Sequence, residues 1–157
     1  MKRPGTIQTA LAALLALTGA ARATVFQTYS LPDQVRRAQV IVQASLGAPQ
    51  TRQEGGLTWT VYPLSISRTA AGNVADLPSL NGTPALYILA GLDQAPSFQA
   101  NEQAILLLYT GKLDNPLVGF TQGAYRIRDG RVQGEAAANA TPDAFWQNLA
   151  TLREGSQ

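Results

Sequence analysis

Residues Gln103–Val132 read QAILLLYTGKLDNPLVGFTQGAYRIRDGRV. Ala104–Tyr109 is apolar at every position, the pattern of a short strand buried on both faces or of a helix fragment, and its length and flanking turn residues favour strand. Asp114-Asn115-Pro116 marks a turn, Leu117–Phe120 returns as a second strand, and Gly123 allows a sharp bend or a close backbone approach. Ala124–Ile127 then pairs with Arg131–Gln133 across Asp129-Gly130, the strongest short hairpin signal in the chain. A two-residue loop sets Arg128 opposite Arg131, Ile127 opposite Val132 and Arg126 opposite Gln133. One face of that hairpin is therefore apolar, with Tyr125, Ile127 and Val132, and the other is basic.

Upstream, Ser30 is placed to cap a helix over Leu31–Ala38, with Pro32 and Asp33 in its first turn. Val40, Val42, Ala44 and Leu46 alternate with Ile41, Gln43 and Ser45 as a strand. After the turn at Gly55-Gly56, Leu57, Trp59 and Val61 share one face, and the apolar phase then shifts to Leu64 and Ile66. A bulge at Tyr62-Pro63 would explain both the shift and a proline inside a strand. Residues 70–84 read as loop, and Ala85–Ala90 as a strand ended by Gly91. Downstream, Thr141 is an N-cap with Pro142 at the first helical position, and Phe145, Leu149 and Leu152 form one stripe before Arg153 and Gly155. The sum is a mainly β domain: a small closed or partly open barrel of six to seven antiparallel strands, with a short N-terminal helix and a C-terminal amphipathic helix.

The chain has 157 residues, and residues 1–23 carry a leader pattern. Lys2 and Arg3 are the basic start, Ala10–Leu17 the short apolar run, and Ala21-Arg22-Ala23 the small-x-small cleavage signal. A membrane span needs roughly 20 apolar residues, and this run is interrupted by Thr18, Gly19 and Arg22. Export with cleavage after Ala23 is expected, leaving residues 24–157 as one domain with no transmembrane span, in the periplasm, the envelope or the medium. Cleavage removes Lys2, Arg3 and Arg22, so 12 basic and 10 acidic residues become nearly balanced. Near-zero net charge and export both argue against nucleic acid as partner.

There is no cysteine and no histidine. Disulfides and thiolate chemistry are excluded, and so are the usual general base and the commonest metal ligand. Catalysis would have to use a carboxylate pair drawn from Asp93, Glu102, Asp114 and Asp129, or a serine with Lys112, the one lysine left after cleavage. No cofactor or metal motif is present. Asn81-Gly82-Thr83 and Asn139-Ala140-Thr141 match the glycosylation triplet but read as loop residues.

The stretches Pro84–Gly91, Pro96-x-Phe98, Glu102 before an apolar strand, and Val118-Gly119-Phe120-x-Gln122-Gly123-x-Tyr125-Arg126-Ile127-x-x-Gly130 together resemble a loose group of bacterial exported proteins of unknown function. The resemblance covers Leu31–Val132 and implies a small barrel like the oligonucleotide/oligosaccharide-binding fold, similar to the netrin module and the tissue inhibitors of metalloproteinases. The group's Gly-Glu is Asn101-Glu102 here, and its strand-one Asp and Gly correspond to Gln39 and Ala44. The inhibitor branch places an N-terminal cysteine on the protease's metal, and this chain has none.

The basic hairpin face, Arg126, Arg128 and Arg131, is the leading candidate interaction surface. Like charges directly across a strand pair are unfavourable, and an anionic ligand offsets that. Equally, such arginines can simply point to water with Asp129 screening them. Trp59, Tyr62, Tyr109 and Phe120 are candidates for an aromatic platform or for core, and Trp146 for a partner contact or a half-buried rim residue. The expected function is a non-catalytic binding or interaction module of the cell envelope, taking an anionic envelope polymer or another exported protein. The alternatives are a carboxylate-based hydrolase on the same barrel and a purely structural envelope component.

Overall fold

The computed structural model describes residues 27–156, so the leader pattern and its cleavage site lie outside the described residues. The chain is mainly β: an antiparallel sheet of eight strands, flanked by α1 (Leu31–Arg37) and α2 (Pro142–Glu154). The strands are β1 (Val40–Leu46), β2 (Gln50–Glu54), β3 (Leu57–Ala71), β4 (Ser79–Leu80), β5 (Thr83–Leu89), β6 (Gln103–Leu108), β7 (Ala124–Arg128) and β8 (Arg131–Val132). Their order is β4-β5-β3-β1-β6-β7-β8, with β2 branching onto β3. The end strands β4 and β8 do not pair with each other, so the sheet is open rather than closed into a barrel.

Eight strands replace the expected six to seven because β2 and β4 carry no apolar alternation to read. Every residue of β2 except Arg52 is exposed, and β4 has two residues inside the expected 70–84 loop. The expected strand Leu117–Phe120 is instead a turn with a single bridge, Leu117 to Leu108. Gly119 and Phe120 sit at φ 65° and 68°, which ends extended backbone there.

β3 is the longest strand and the hinge of the architecture. Its first part pairs with β2 and β5, its second with β1, and β1 and β2 follow one another along the same side. The bulge expected at Tyr62-Pro63 is absent: the register against β5 runs unbroken from Trp59 to Pro63. The irregularities fall further on, where β1 shifts between Ile41/Val42 and Gln43/Ala44. The apolar phase changes because the two faces of β3 are covered in turn. Trp59 and Val61 enter one cluster with Leu80, Ala85 and Tyr87, while Tyr62 and Leu64 enter the main core on the other face. Pro63 stands where the β2 and β1 ladders change over, so its missing N–H interrupts neither.

β1 and β6 are central and buried on both faces, as the unbroken apolar run of β6 requires. One face (Val42, Leu46, Leu106, Leu108) packs against Tyr62, Leu86 and Phe98. The other (Ile41, Ile105, Leu107) packs beneath Val35 of α1 and Phe145 and Leu149 of α2. Capping follows the expected residues: Ser30 Oγ accepts from the Asp33 N–H and Thr141 Oγ1 from the Ala144 N–H. The helices are tied together by Arg153, whose guanidinium donates to the carbonyls of Val35 (3.0 Å) and Ala38 (2.9 Å) at the end of α1. A cation from the last turn of α2 thus satisfies carbonyls that α1 leaves open.

Candidate anion-binding hairpin

β6 carries β7 in the register Gln103 to Ile127 and Ala104 to Arg126, and β7 carries β8 in the register Ile127 to Val132 and Arg128 to Arg131. Arg126 meets Gln133 as well, whose N–H donates to its carbonyl at 2.8 Å. Asp129 and Gly130 both take positive φ, 49° and 69°, as a two-residue turn of this hand demands. Gly123 seats the whole hairpin. A Cβ there would meet the Leu107 and Val118 carbonyl oxygens at 2.8 Å, so only glycine lets the chain pass between them.

The three arginines do not form one row of free charge. Arg126 lies over the Phe98 ring at 4.6 Å, donates to the Ser97 carbonyl at 2.6 Å and is ion-paired with Glu102. The Glu102 side chain is 9% exposed, and its second oxygen accepts from the Gln99 N–H at 2.9 Å. Burial alone would raise its pKa, but the Gln99 N–H and then the Arg126 guanidinium outweigh that and hold it below the usual carboxylate range. Arg126 therefore fastens the 97–102 loop to the sheet. Arg128 reaches the same Glu102 oxygen only at 3.8 Å with its side chain 64% exposed, and Arg131 makes no ion pair among the described residues. Asp129 pairs with neither arginine among the described residues.

The other candidates are scattered. Asp93, Asp114 and Asp129 are exposed loop residues, and no group of three or more Asp or Glu able to hold a metal exists among the described residues. Lys112 is ion-paired with Glu54 and stands over the Tyr87 ring at 4.1 Å. Trp59 and Tyr62 are core, stacked edge-on against Tyr87 (6.1 Å) and Phe98 (5.4 Å). Tyr109 and Phe120 instead line a shallow recess of ≈ 260 Å³ with Tyr29. Trp146 is half-buried beneath the Arg68 guanidinium at 4.7 Å, and Arg68 also pairs with Asp143 at 2.9 Å.

A wider groove of ≈ 510 Å³ runs between the start of α1, the 121–125 segment and residues 133–136. Its floor is the buried pair Tyr125–Gln34, where the phenol donates to Gln34 Oε1 at 2.7 Å and Gln34 Nε2 donates to the Tyr29 carbonyl at 3.0 Å. Burial pushes the Tyr125 phenol up to about 12, with the Gln34 hydrogen bond acting in the opposite direction. Gln122 clamps the incoming chain: its Oε1 accepts from the Tyr29 N–H (2.8 Å) and its Nε2 donates to the Gln27 carbonyl (2.9 Å). Nothing in the sequence pattern marked Gln34, and Gln122 stood out only as part of the Val118–Gly130 motif, with no role attached. Their long-range partners are 91 to 95 residues away, and only the packed chain brings them together.

No helix among the described residues is long and apolar enough to cross a membrane. No protein-family model and no curated protein matches the chain.

Proposed function

We propose that the protein is a non-catalytic exported binding module, released from its leader after Ala23, that takes an anionic polymer of the cell envelope on the tip of the β7–β8 hairpin. One observation carries this reading: Arg128 stands directly across from Arg131 on an exposed tip, while Arg126 is committed to Glu102 beneath it. Two like charges directly opposite each other across a strand pair repel. An anion bridging both guanidiniums turns that repulsion into attraction, and Arg presents paired donors suited to sulfate, phosphate and carboxylate groups.

The test is binding of protein purified from expression of the full-length chain to fluorescent dextran sulfate, with neutral dextran as control. Binding is expected to the sulfated polymer alone, to weaken as salt rises, and to fall about tenfold or more in Arg128→Gln/Arg131→Gln. Equal binding by the double variant, or binding that ignores salt, overturns the reading. Binding to an exported protein through the same arginines, in place of the polymer, would redirect it to a protein partner. Leader removal is checked by the N-terminal sequence, expected to begin at Thr24.

A further inference from the structure

We propose that the outer edge of β2 is a self-association surface, on which a second copy of this chain pairs its own β2 in antiparallel orientation. Three strands of the open sheet pair with one neighbour only, and two of them, β4 and β8, are only two residues long. β2 is the third, with five residues. It pairs only with β3, and among the described residues no other backbone hydrogen bond reaches Gln50–Glu54. Gln50, Thr51, Gln53 and Glu54 are exposed. An edge of this length offers a row of unpaired N–H and C=O groups to another strand.

Which groups face outward follows from the turn. Gly55-Gly56 closes the hairpin, so Glu54 and Leu57 form its first pair and Arg52 pairs with Trp59 two residues on. In a two-residue hairpin the closing pair exchanges hydrogen bonds and alternate pairs follow suit. The main-chain groups of Glu54 and Arg52 therefore point at β3, and those of Gln53 and Thr51 point away. Two such edges meeting about a two-fold axis must match outward residue to outward residue, which leaves three central registers. An axis through Thr51 brings Pro49, which has no N–H, opposite Gln53. An axis through Arg52 sets Arg52 against its own copy, like charge to like charge.

An axis through Gln53 has neither defect. The two Gln53 residues exchange main-chain hydrogen bonds, and Arg52 of each copy stands opposite Glu54 of the other, twice over. These are non-hydrogen-bonded positions, where facing side chains come closest. Among the described residues of one chain the Arg52 guanidinium hydrogen-bonds only to Gln50 Oε1 (3.0 Å), and Glu54 is shared between Lys112 and Tyr87, so both charges have capacity for the second copy. Leu57, one of two large apolar side chains left exposed among the described residues (47%), lies across from Glu54 on the next strand and adds apolar area beside the charge pairs. The same charges that reject the other registers select this one. Such a dimer would carry two Arg128–Arg131 tips. That consequence rests on the proposed function, whereas the pairing does not.

The test is sedimentation velocity on protein purified from the full-length chain, from about 1 to about 200 µM, the range in which a small interface becomes populated. Wild type is expected to convert reversibly from monomer to dimer. Arg52→Glu and Glu54→Arg, each folded by circular dichroism, are each expected to dimerise about tenfold or more weakly. Mixed one to one they are expected to form a heterodimer, because the register then pairs Glu with Arg at all four positions. Gln53→Pro removes an outward N–H, and with the side chain the Gln53 Nε2 hydrogen bond to Thr58 Oγ1 (2.7 Å), but no ladder hydrogen bond to β3; once shown folded it should also abolish the dimer, which keeps a test available if Glu54→Arg fails to fold. A wild type that stays monomeric throughout overturns the proposal, as do single variants that associate like wild type. Polymer binding through Arg128 and Arg131 is measured separately, so either proposal can fail alone.

Discussion

Gly55-Gly56 closes β2 onto β3, and Asp129-Gly130 closes β7 onto β8, with loop residues at φ 58° and 76° in the first and 49° and 69° in the second. The two turns are alike in length and hand, and the strands they close differ in charge. At the β7–β8 tip, Arg128 faces Arg131, and Glu102, which Arg128 reaches at 3.8 Å, is already held by Arg126. On β2, Arg52 and Glu54 alternate with neutral residues, and Lys112 comes from the 109–117 segment to pair with Glu54. The first pattern leaves positive charge unmet and favours an anion, and the second is self-complementary and favours a copy of itself. Turn chemistry sets where a hairpin forms, and side-chain charge sets what its end can meet.

The comparison breaks entirely if the shared support fails. Leu106, buried on β6 between β1 and β7, is the position of largest expected effect. Leu106→Ala should lower unfolding free energy by about 2–5 kcal/mol, read by chemical denaturation, and loosen both hairpins together.

Glu102 separates them. Glu102→Gln leaves Arg126 and Arg128 without their carboxylate and should cost about 1–3 kcal/mol, with no change at the β2 end. Because the folded pKa lies below the unfolded one, this contribution is present above the unfolded carboxylate value and is lost as pH falls through the depressed folded value. Acid unfolding of the variant should therefore show a shallower pH dependence there than wild type.

Tyr125 tests the flank of the β7–β8 hairpin at the other end of the pH scale. Its folded value, about 12, lies above the ordinary phenol, so the stability it lends is complete below about pH 10 and declines as pH rises towards 12. Tyr125→Phe should remove that alkaline decline while losing about 1 kcal/mol at neutral pH with the Gln34 hydrogen bond.

The most direct comparison, read as a difference between two similar losses, is Gly55→Ala against Gly130→Ala. Neither Cβ would meet an atom within 4 Å, so each substitution carries only the left-handed backbone penalty, about 1–2 kcal/mol. Equal losses in thermal unfolding would confirm that the turns are equivalent. A larger loss at Gly130 would mean that the arginine tip is already strained.

Much of the fold was legible because its signals are local. Ser30 and Thr141 cap the helices, the apolar run of β6 is buried on both faces, and Asp129-Gly130 sets the Arg128–Arg131 register. Misreadings occurred where burial depends on a distant partner. The phase change in β3 looked like a bulge at Pro63 because one strand alone cannot show that each face is covered by a different cluster. β2 escaped notice because an exposed polar strand has no apolar period, and its existence depends on β3 folding back over it. The candidate site divided in the same way. Three arginines were visible as a row, yet their unequal roles follow from Glu102, which lies just before β6 and meets the hairpin once β6 pairs with β7.

By itself the sequence determined a mainly β chain with a helix at each end, no thiol or imidazole chemistry, and a hairpin with arginine facing arginine. These follow from periodicity, capping and composition, which act over a few residues. Tertiary structure alone decided that the sheet stays open, that Arg126 is held while Arg128 and Arg131 stay exposed, and that β2 presents a free edge. Each depends on which segments far apart in the chain come within hydrogen-bonding or ion-pairing distance, and packing of the whole chain determines that.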